Sequence, residues 1–335
     1  MEDSVLKFIP DRLQSISMSF ASLLGLLLAC AADRPKLDRM SDWTPDTVAA
    51  GAARPMTLSN SPPSGPRGIP FGMYNLAVTE FRPPFTGTVL NGTDPRRVMS
   101  VLEAARKAKI KVILNMFVSP RQIKNPDGSF SLERWKQRID RFASVNLEPY
   151  IADGTLIGHY LLDEPHSRRK WNREQVPYAD IEAAAEYSKR LWPGLPTLVR
   201  VDPIFLRQAP FQWVYLDAAW AQYSVRKGNA EQYAQQHAAA AKAAGLGLVL
   251  GLNVLDGGDG SSGWRGTKSK YWAMSAAEVS KYGSVLAAEP NGCALLLWKY
   301  DRTDTVYFAR PEIQAAIEEL GRLAAGRPAA NCRVR

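Results

Sequence analysis

The stretch Gly158-His159-Tyr160-Leu161-Leu162-Asp163-Glu164-Pro165 is an apolar run that ends in two adjacent carboxylates and a proline. An apolar run of this kind predicts a strand buried on both faces, as in a parallel sheet. Pro165 has no backbone donor and ends the ladder, so Glu164 is expected where the strand becomes a loop. In folds built from parallel strands, functional side chains collect at this end of the strands.

Seven other apolar runs alternate with amphipathic helix candidates along the chain. The eight predicted strands span 70–76, 88–91, 111–117, 155–162, 197–201, 213–217, 247–254 and 294–298, and a continuation of the sixth to Tyr223 is open. This alternation indicates parallel strands with crossover helices, and eight such units predict a single (β/α)8 TIM barrel, of the α/β class, over residues 68–325. A doubly wound open sheet is the alternative, but no glycine-rich phosphate-binding turn follows the first strand.

The N-terminal region has the features of a targeting segment rather than of a folded domain. An apolar segment at 20–29 follows two positive charges and ends at Cys30. Leu27-Leu28-Ala29-Cys30 resembles the bacterial lipoprotein signal, which implies that residues 1–30 are a signal, that Cys30 is lipidated and that the lipid anchors the protein to a membrane. Ordinary secretion and an uncleaved, buried segment are the alternatives. Residues 31–67 are rich in Pro, Ser, Asp and Gly and predict a flexible tether. We expect an exported protein, held in the bacterial cell envelope or secreted.

The basic composition does not indicate a nucleic-acid partner. Lys and Arg number 42 against 33 Asp and Glu, which gives a formal net charge of +9. The basic residues are scattered along helix-like segments such as 134–141, as expected of solvated helix faces. We find no zinc-finger spacing, and no metal or other cofactor is predicted.

Besides Cys30, the chain has two cysteines, Cys293 and Cys332. Cys293 is expected to open the last strand, and Cys332 lies in the C-terminal tail, 326–335, after the last helix. Both places belong to the bottom rim of a strand-helix barrel. The sequence is therefore compatible with a disulfide between Cys293 and Cys332 and equally with two free thiols.

Polar and aromatic side chains cluster at or just beyond the predicted strand ends. The predicted substrate-binding residues are Tyr74, Asn115, Asp163, Arg200, Asp202, Trp220, Gln222, Tyr223, Asn253, Trp264, Trp298 and Tyr300. Carboxylates that move protons, amides and hydroxyls that bind hydroxyl groups, and flat rings that stack on sugar faces are typical of a carbohydrate site. We therefore expect a carbohydrate substrate.

With Asp163-Glu164-Pro165 at its fourth strand, the chain resembles the barrel glycoside hydrolases whose acid/base glutamate ends that strand, usually within Asn-Glu-Pro. The resemblance implies an acid/base role for Glu164. It also implies a nucleophilic glutamate on the seventh strand, where this chain has Asn253 and Asp256 instead. Asp256 and Asp217 are the two candidates for the second catalytic carboxylate.

The expected function is that of an exported glycoside hydrolase that cleaves an oligosaccharide or polysaccharide, with Glu164 as general acid/base. A catalytically silent glycan-binding barrel is one alternative, because the seventh strand lacks the glutamate. A barrel lyase or aldolase is another, in which Lys299 would form a Schiff base.

Overall fold

The computed structural model describes residues 68–117, 119–268, 270–300 and 305–333. Eight parallel strands close into a barrel in sequence order, which confirms the predicted fold class. The strands are β1 Phe71–Tyr74, β2 Gly87–Asn91, β3 Lys111–Asn115, β4 Leu156–Asp163, β5 Thr197–Arg200, β6 Ala218–Tyr223, β7 Gly247–Asn253 and β8 Gly292–Trp298. The predicted signal, the lipidation site Cys30 and the tether all lie outside the described residues.

Helices follow the strands and form the outer layer of the barrel. In the described part of the chain they are α1 Pro95–Ala108, α2 Leu132–Asp140, α3 Glu148–Ala152, α4 Tyr178–Leu191, α5 Pro203–Leu206, α6 Ala230–Ala243, α7 Ala276–Ala288, α8 Thr305–Phe308 and α9 Pro311–Gly326. Local chemistry fixes several of their starts. Asp94 caps α1 by accepting a hydrogen bond from the backbone of Arg96, and Ser275 with Glu278 forms a capping box at α7.

The sixth strand starts five residues later than predicted and ends at Tyr223, the end of the continuation that the sequence left open. The apolar run 213–217 is a loop, in which the Glu182 carboxylate accepts hydrogen bonds from the backbone N–H groups of Val214 and Tyr215, at 2.6 and 2.8 Å. The Val214 side chain is 62% exposed. The small residues that follow, from Ala218, form the ladder with β7 over six register positions. Because the strand starts after Asp217, that residue lies at the opposite end of β6 from the one predicted.

The C-terminal tail crosses the bottom of the barrel, where the strands begin. Of the two alternatives for the cysteines, the structure contains the disulfide: Cys293 and Cys332 are joined, with their Cα atoms 5.2 Å apart. A Cβ placed on Gly247, the first residue of β7, would lie 2.3 Å from the Cys332 carbonyl oxygen. The tail therefore packs directly on the first residue of β7, where only a glycine fits.

Candidate active site

A cleft of about 280 Å³ opens at the C-terminal ends of β4 to β7. Six of the predicted site residues line this β4–β7 cleft: Glu164, Arg200, Asp202, Trp220, Gln222 and Asn253. In a parallel barrel all strands end on one side, which explains why residues from four strands meet there.

Glu164 follows β4 directly and is fixed in position by its backbone. Its φ of 50° lies in the left-handed region, and the Trp171 indole N–H donates to its carbonyl at 2.9 Å. The side chain is 39% exposed, with Oε2 2.9 Å from Lys170 Nζ and Oε1 3.2 Å from an Arg200 nitrogen. One carboxylate thus reaches both the cleft and two cations.

These two cations set the charge of Glu164. Burial raises the pKa of its carboxyl, and the neighbouring Asp163 carboxylate raises it too, but Arg200 and Lys170 outweigh both and hold the pKa below its ordinary value. In the free protein Glu164 is therefore a carboxylate at neutral pH. In this state it can accept a proton, whereas donation requires that it first be protonated.

Asp163 lies behind Glu164 and points inward. Arg200 Nε and the Tyr160 hydroxyl donate to its Oδ1 at 2.5 and 2.8 Å, and Lys170 forms an ion pair with its other oxygen. Burial raises the pKa of this carboxyl, but Arg200 and Lys170 lower it further, to about 2. Asp163 does not line the cleft. Its carboxylate binds the cations that also hold Glu164.

A register irregularity in β4 brings both acidic residues to Arg200. Strict alternation would let only one of two adjacent side chains face the barrel interior. The pairing of β4 with β5 shifts between Tyr160 and Leu162, and the left-handed backbone at Glu164 turns the chain again. As a result, Tyr160, Asp163 and Glu164 all lie within reach of one guanidinium.

Asp202 is the other carboxylate on the cleft wall. It precedes α5, and it accepts hydrogen bonds from Lys227 Nζ at 2.8 Å and from the Tyr233 hydroxyl at 3.1 Å. Burial raises the pKa of Asp202, but hydrogen bonding to His237 and the charge of Lys227 outweigh it and hold the pKa well below its usual range. The cleft therefore has two ionised carboxylates, one at the end of β4 and one just beyond β5.

Tyr74 and Asn115 contribute to a hydrogen-bond network inside the barrel instead of lining the cleft. The Tyr74 hydroxyl donates to Asn91 Oδ1 at 2.7 Å, and Asn115 Nδ2 donates to the same oxygen at 2.9 Å. Both predicted side chains are buried. The Trp298 ring is 4.6 Å from the Tyr74 ring, and the Arg200 guanidinium lies 5.1 Å from the Trp298 centroid. These residues support Arg200 from the side of β1 to β3 and β8.

The prediction that Asp217 is catalytic is wrong. Its Oδ2 accepts from the backbone N–H of Thr197 at 2.7 Å and pairs with Lys189 Nζ at 2.5 Å, and Arg333 in the tail lies 3.8 Å from its other oxygen. All of these groups are at the bottom of the barrel. Asp217 joins β5, α4 and the tail.

Tyr223 is also wrongly placed by the prediction. Its ring lies 5.2 Å from Tyr233 and 5.3 Å from Tyr282, in the helical layer, and its hydroxyl donates to the Gly228 carbonyl. Successive residues of a strand face opposite sides, so Gln222 points into the cleft and Tyr223 points away from it.

Asp256 does not reach the cleft either. It is 4% exposed; the Thr267 hydroxyl donates to its Oδ2, and the Lys268 backbone N–H donates to Oδ1 at 3.0 Å. Its carboxylate therefore stabilises the loop after β7 by joining two parts of that loop through hydrogen bonds. Among the predicted aromatic residues, Trp264 packs against the apolar residues beside this loop, and Tyr300 lines a separate cavity near α9.

Five residues that line the cleft were absent from the predicted site: His166, Val201, Ser224, Arg226 and Lys227. Burial lowers the pKa of His166, although the Glu164 and Asp202 carboxylates oppose this shift. Lys170, which contacts Glu164, was missed as well. What these residues share is their place in the sequence, because each lies within seven residues after the end of β4, β5 or β6.

No group of three or more His, Cys, Asp or Glu side chains among the described residues is arranged to hold a metal ion. No helix in the described ranges has the length and apolar character needed to cross a membrane.

No protein-family model and no curated protein sequence matches the chain. Solved structures do resemble it. The intracellular xylanase of Thermoanaerobacterium saccharolyticum matches with a TM-score of 0.50 at 13% identity, over 75% of this chain and 95% of the xylanase. A β-glucuronidase from an uncultured Clostridium sp. matches with a TM-score of 0.50 at 11% identity, over 77% of this chain and 50% of that enzyme. The likeness is one of fold: this chain has the barrel found in these glycoside hydrolases.

Proposed function

We propose that the protein is a glycoside hydrolase in which Glu164 serves as the general acid/base. The observation that carries the proposal is the position of Glu164, a partly exposed carboxylate at the tip of β4, in a cleft that also contains the Asp202 carboxylate. Glycosidic cleavage needs two carboxyl groups that flank the scissile bond. We assign the second of these carboxyl groups to Asp202, in place of the predicted Asp217 and Asp256.

The polar groups around the two carboxylates suit a sugar. Gln222 and Asn253 present amides to the cleft. The Gln222 oxygen accepts from Arg200 at 2.8 Å, so its amide N–H₂ is left to donate to a substrate oxygen. Carbohydrate hydroxyls both donate and accept, and such amides bind them well.

The ionised state of Glu164 in the free protein defines how the reaction proceeds. As a carboxylate, Glu164 is ready to take a proton from an attacking water, the base step. The acid step needs the protonated form. A substrate that covers the cleft removes water from Glu164 and raises its pKa, and a lower pH increases the protonated fraction. The proposed hydrolase should therefore work best below neutral pH.

We further propose that the protein acts outside the cytoplasm, held to a membrane by a lipid on Cys30. The support is the segment Leu27-Leu28-Ala29-Cys30, together with the disulfide between Cys293 and Cys332, a bond that persists in oxidising compartments. Expression of the full chain in a bacterial host, followed by fractionation and mass spectrometry, tests this. Cys30→Ala should move the protein from the membrane fraction to the soluble one, and an unchanged distribution would contradict the anchor.

The test of the catalytic proposal is Glu164→Gln, assayed for product release on a panel of oligosaccharides and polysaccharides. Turnover should fall by about a hundredfold or more, because one proton-transfer group contributes roughly that factor. Glu174→Gln is the matched control, since Glu174 is an exposed glutamate in the same loop. Circular dichroism should show an unchanged fold in both variants. Full activity of Glu164→Gln would remove the assignment.

A second function is favoured by one observation. β7 ends in Asn253, and the nearby Asp256 is buried in its own loop, so β7 supplies no carboxylate to the cleft. A barrel that binds glycan without cleaving it fits this arrangement. Calorimetry that detects glycan binding, with no product formed from any member of the panel, would select this function over hydrolysis.

A further inference from the structure

One wall of the cleft consists of four side chains that can each donate a hydrogen bond. Trp220, Gln222, Ser224 and Arg226, which we call the β6 row, are every second residue from the middle of β6 onward, and all four line the cleft. Ser224 is still extended, with φ −149° and ψ 158°, so the alternation of β6 continues through it. The short 3-10 turn Val225–Lys227 then brings Arg226 to the same wall.

The donors of the β6 row are largely unused. Trp220 Nε1 has no hydrogen-bond partner among the described residues, but the side chain is fully buried and its Nε1 packs against Gly251, so Trp220 forms the floor of the wall. Gln222 accepts from Arg200 through its oxygen, which leaves its N–H₂ group facing the cleft. A buried or cleft-facing donor without an acceptor is costly to the free protein. Such a row is suited to a ligand that is rich in acceptor oxygens.

Arg226 differs from the other cations at the cleft, because it has no carboxylate partner in the described part of the chain. The other pairs are Arg200 with Asp163 and Glu164, Lys170 with the same two carboxylates, and Lys227 with Asp202. Three acidic groups thus face four cations, and the surplus positive charge is that of Arg226.

The Arg226 side chain is nevertheless held in place. Its guanidinium lies 4.3 Å from the centroid of the Tyr271 ring, and one nitrogen donates to the Asp256 carbonyl at 2.9 Å. The Val225 backbone N–H donates to the Gly257 carbonyl at 2.9 Å, which ties the turn to the loop after β7. A guanidinium has five N–H donors in a planar fork that matches a carboxylate or sulfate. Arg226 therefore presents a positioned, uncompensated fork to the cleft.

We propose that the substrate is an acidic saccharide, whose carboxylate or sulfate group binds Arg226 while its ring oxygens and hydroxyls accept from Gln222 and Ser224 of the β6 row. This inference rests on the proposed carbohydrate function and names the substrate class of the same cleft. The acidic group binds at the Arg226 end, away from the ionised Glu164, because like charges repel.

The test measures affinity by calorimetry and needs no turnover. The probes are oligosaccharides that contain glucuronate or galacturonate, their carboxyl-reduced neutral counterparts, and sulfated forms of those neutral oligosaccharides. Wild-type protein should bind an acidic probe about tenfold more tightly than its neutral counterpart, the factor expected from one charge-assisted hydrogen-bond pair. The preference should weaken as salt is added. Comparison of the uronate and sulfated probes identifies the acidic group.

Arg226→Gln should abolish the preference, so that acidic and neutral probes bind the variant with equal affinity. Arg190→Gln is the matched control, because Arg190 is exposed on α4 and also lies over a tyrosine ring, that of Tyr187, at 5.1 Å. It removes the same charge and should keep the preference. Equal binding of acidic and neutral probes by the wild type, a preference that survives Arg226→Gln, or no binding of any acidic probe would each overturn the inference.

These outcomes are distinguishable from failure of the proposed hydrolase. If neutral saccharides are cleaved and Glu164→Gln stops the cleavage, the catalytic proposal stands although the acidic preference is absent. If acidic probes bind through Arg226 and nothing is cleaved, the inference stands and the glycan-binding function replaces hydrolysis.

Discussion

Lys170 Nζ lies 2.9 Å from Glu164 Oε2 and also pairs with Asp163. Only 20% of the Lys170 side chain is exposed, so water screens this ion pair only in part. One lysine in the loop after β4 thus lowers the pKa of both acidic residues of the motif.

Replacement of Lys170 by Met should raise the pKa of Glu164. The cation stabilises the carboxylate form, so its removal shifts the titration to higher pH. We expect the midpoint of the Glu164 carboxyl resonance, followed by NMR with 13C-labelled glutamate, to move upward, and the acid limb of any pH–rate profile to move in the same direction. Lys107→Met, on the exposed face of α1, should leave both unchanged. An unshifted Glu164 midpoint in the Lys170 variant would contradict this account.

Asp163 should make stability depend on pH in the acid range. Its folded pKa of about 2 lies below the ordinary value of 3.8, so its contribution is complete above about pH 4 and is lost as the pH falls toward 2. In urea titrations, the free energy of unfolding should fall more steeply over this window in the wild type than in Asp163→Asn.

At neutral pH, Asp163→Asn should cost roughly 3 kcal/mol, because Arg200 and Lys170 lose a largely buried partner. Glu318→Gln is the control, since Glu318 is an exposed glutamate of α9 and the change should be nearly neutral. Equal slopes for the wild type and Asp163→Asn between pH 4 and 2 would show that the stability change in this range comes from other carboxyls.

Loss of the disulfide should destabilise the fold. The bond links residues 39 positions apart, and closure of a loop of this length in the unfolded chain is worth about 4 kcal/mol in the chain-entropy treatment. Replacement of both Cys293 and Cys332 by alanine should lower the free energy of unfolding by about 2–4 kcal/mol. Reductant should destabilise the wild type and have no effect on the double variant. A wild type that is insensitive to reductant would refute the prediction.

Gly251 on β7 should not tolerate a side chain. A Cβ at this position would lie 2.3 Å from Trp220 Nε1, so Gly251→Ala forces the indole and the β6 row to move. We expect a loss of about 1–3 kcal/mol, the usual cost of an overfilled interior, measured by thermal unfolding. Gly326→Ala at the end of α9 meets no atom within 4 Å and should be neutral or slightly stabilising. Similar melting temperatures for the two variants would refute this packing.

The barrel was predictable because its strands are local apolar runs. β4, β7 and β8 are continuous apolar segments between charged helices, and burial on both faces gives parallel strands this pattern. The start of α1 was visible in Asp94 and Pro95, a cap and a first-turn residue. Such signals depend only on residues that are close in sequence, so they can be recognised without a structure.

The errors came from interactions between distant segments. The run at 213–217 is as apolar as a strand, and only the contact of its backbone with Glu182 shows that it is a loop. Because the predicted sixth strand was placed too early, Asp217 was assigned to the wrong end of the barrel. For the same reason Arg226, which follows the true end of β6, was not predicted as a site residue. Asp256 was misjudged for the same kind of reason, since its partners lie 11 and 12 residues further along the chain.

At Glu164 the left-handed backbone favours glycine, whereas the cleft needs a carboxylate at this position. A residue with a Cβ is held there at a cost of about 1 kcal/mol or more relative to glycine, so Glu164→Gly would relax the turn while removing the carboxylate from the cleft. Selection for fold stability alone would favour glycine at this corner. A glutamate at this strained position is what the proposed acid/base role requires, because glycine would supply no carboxylate to the cleft.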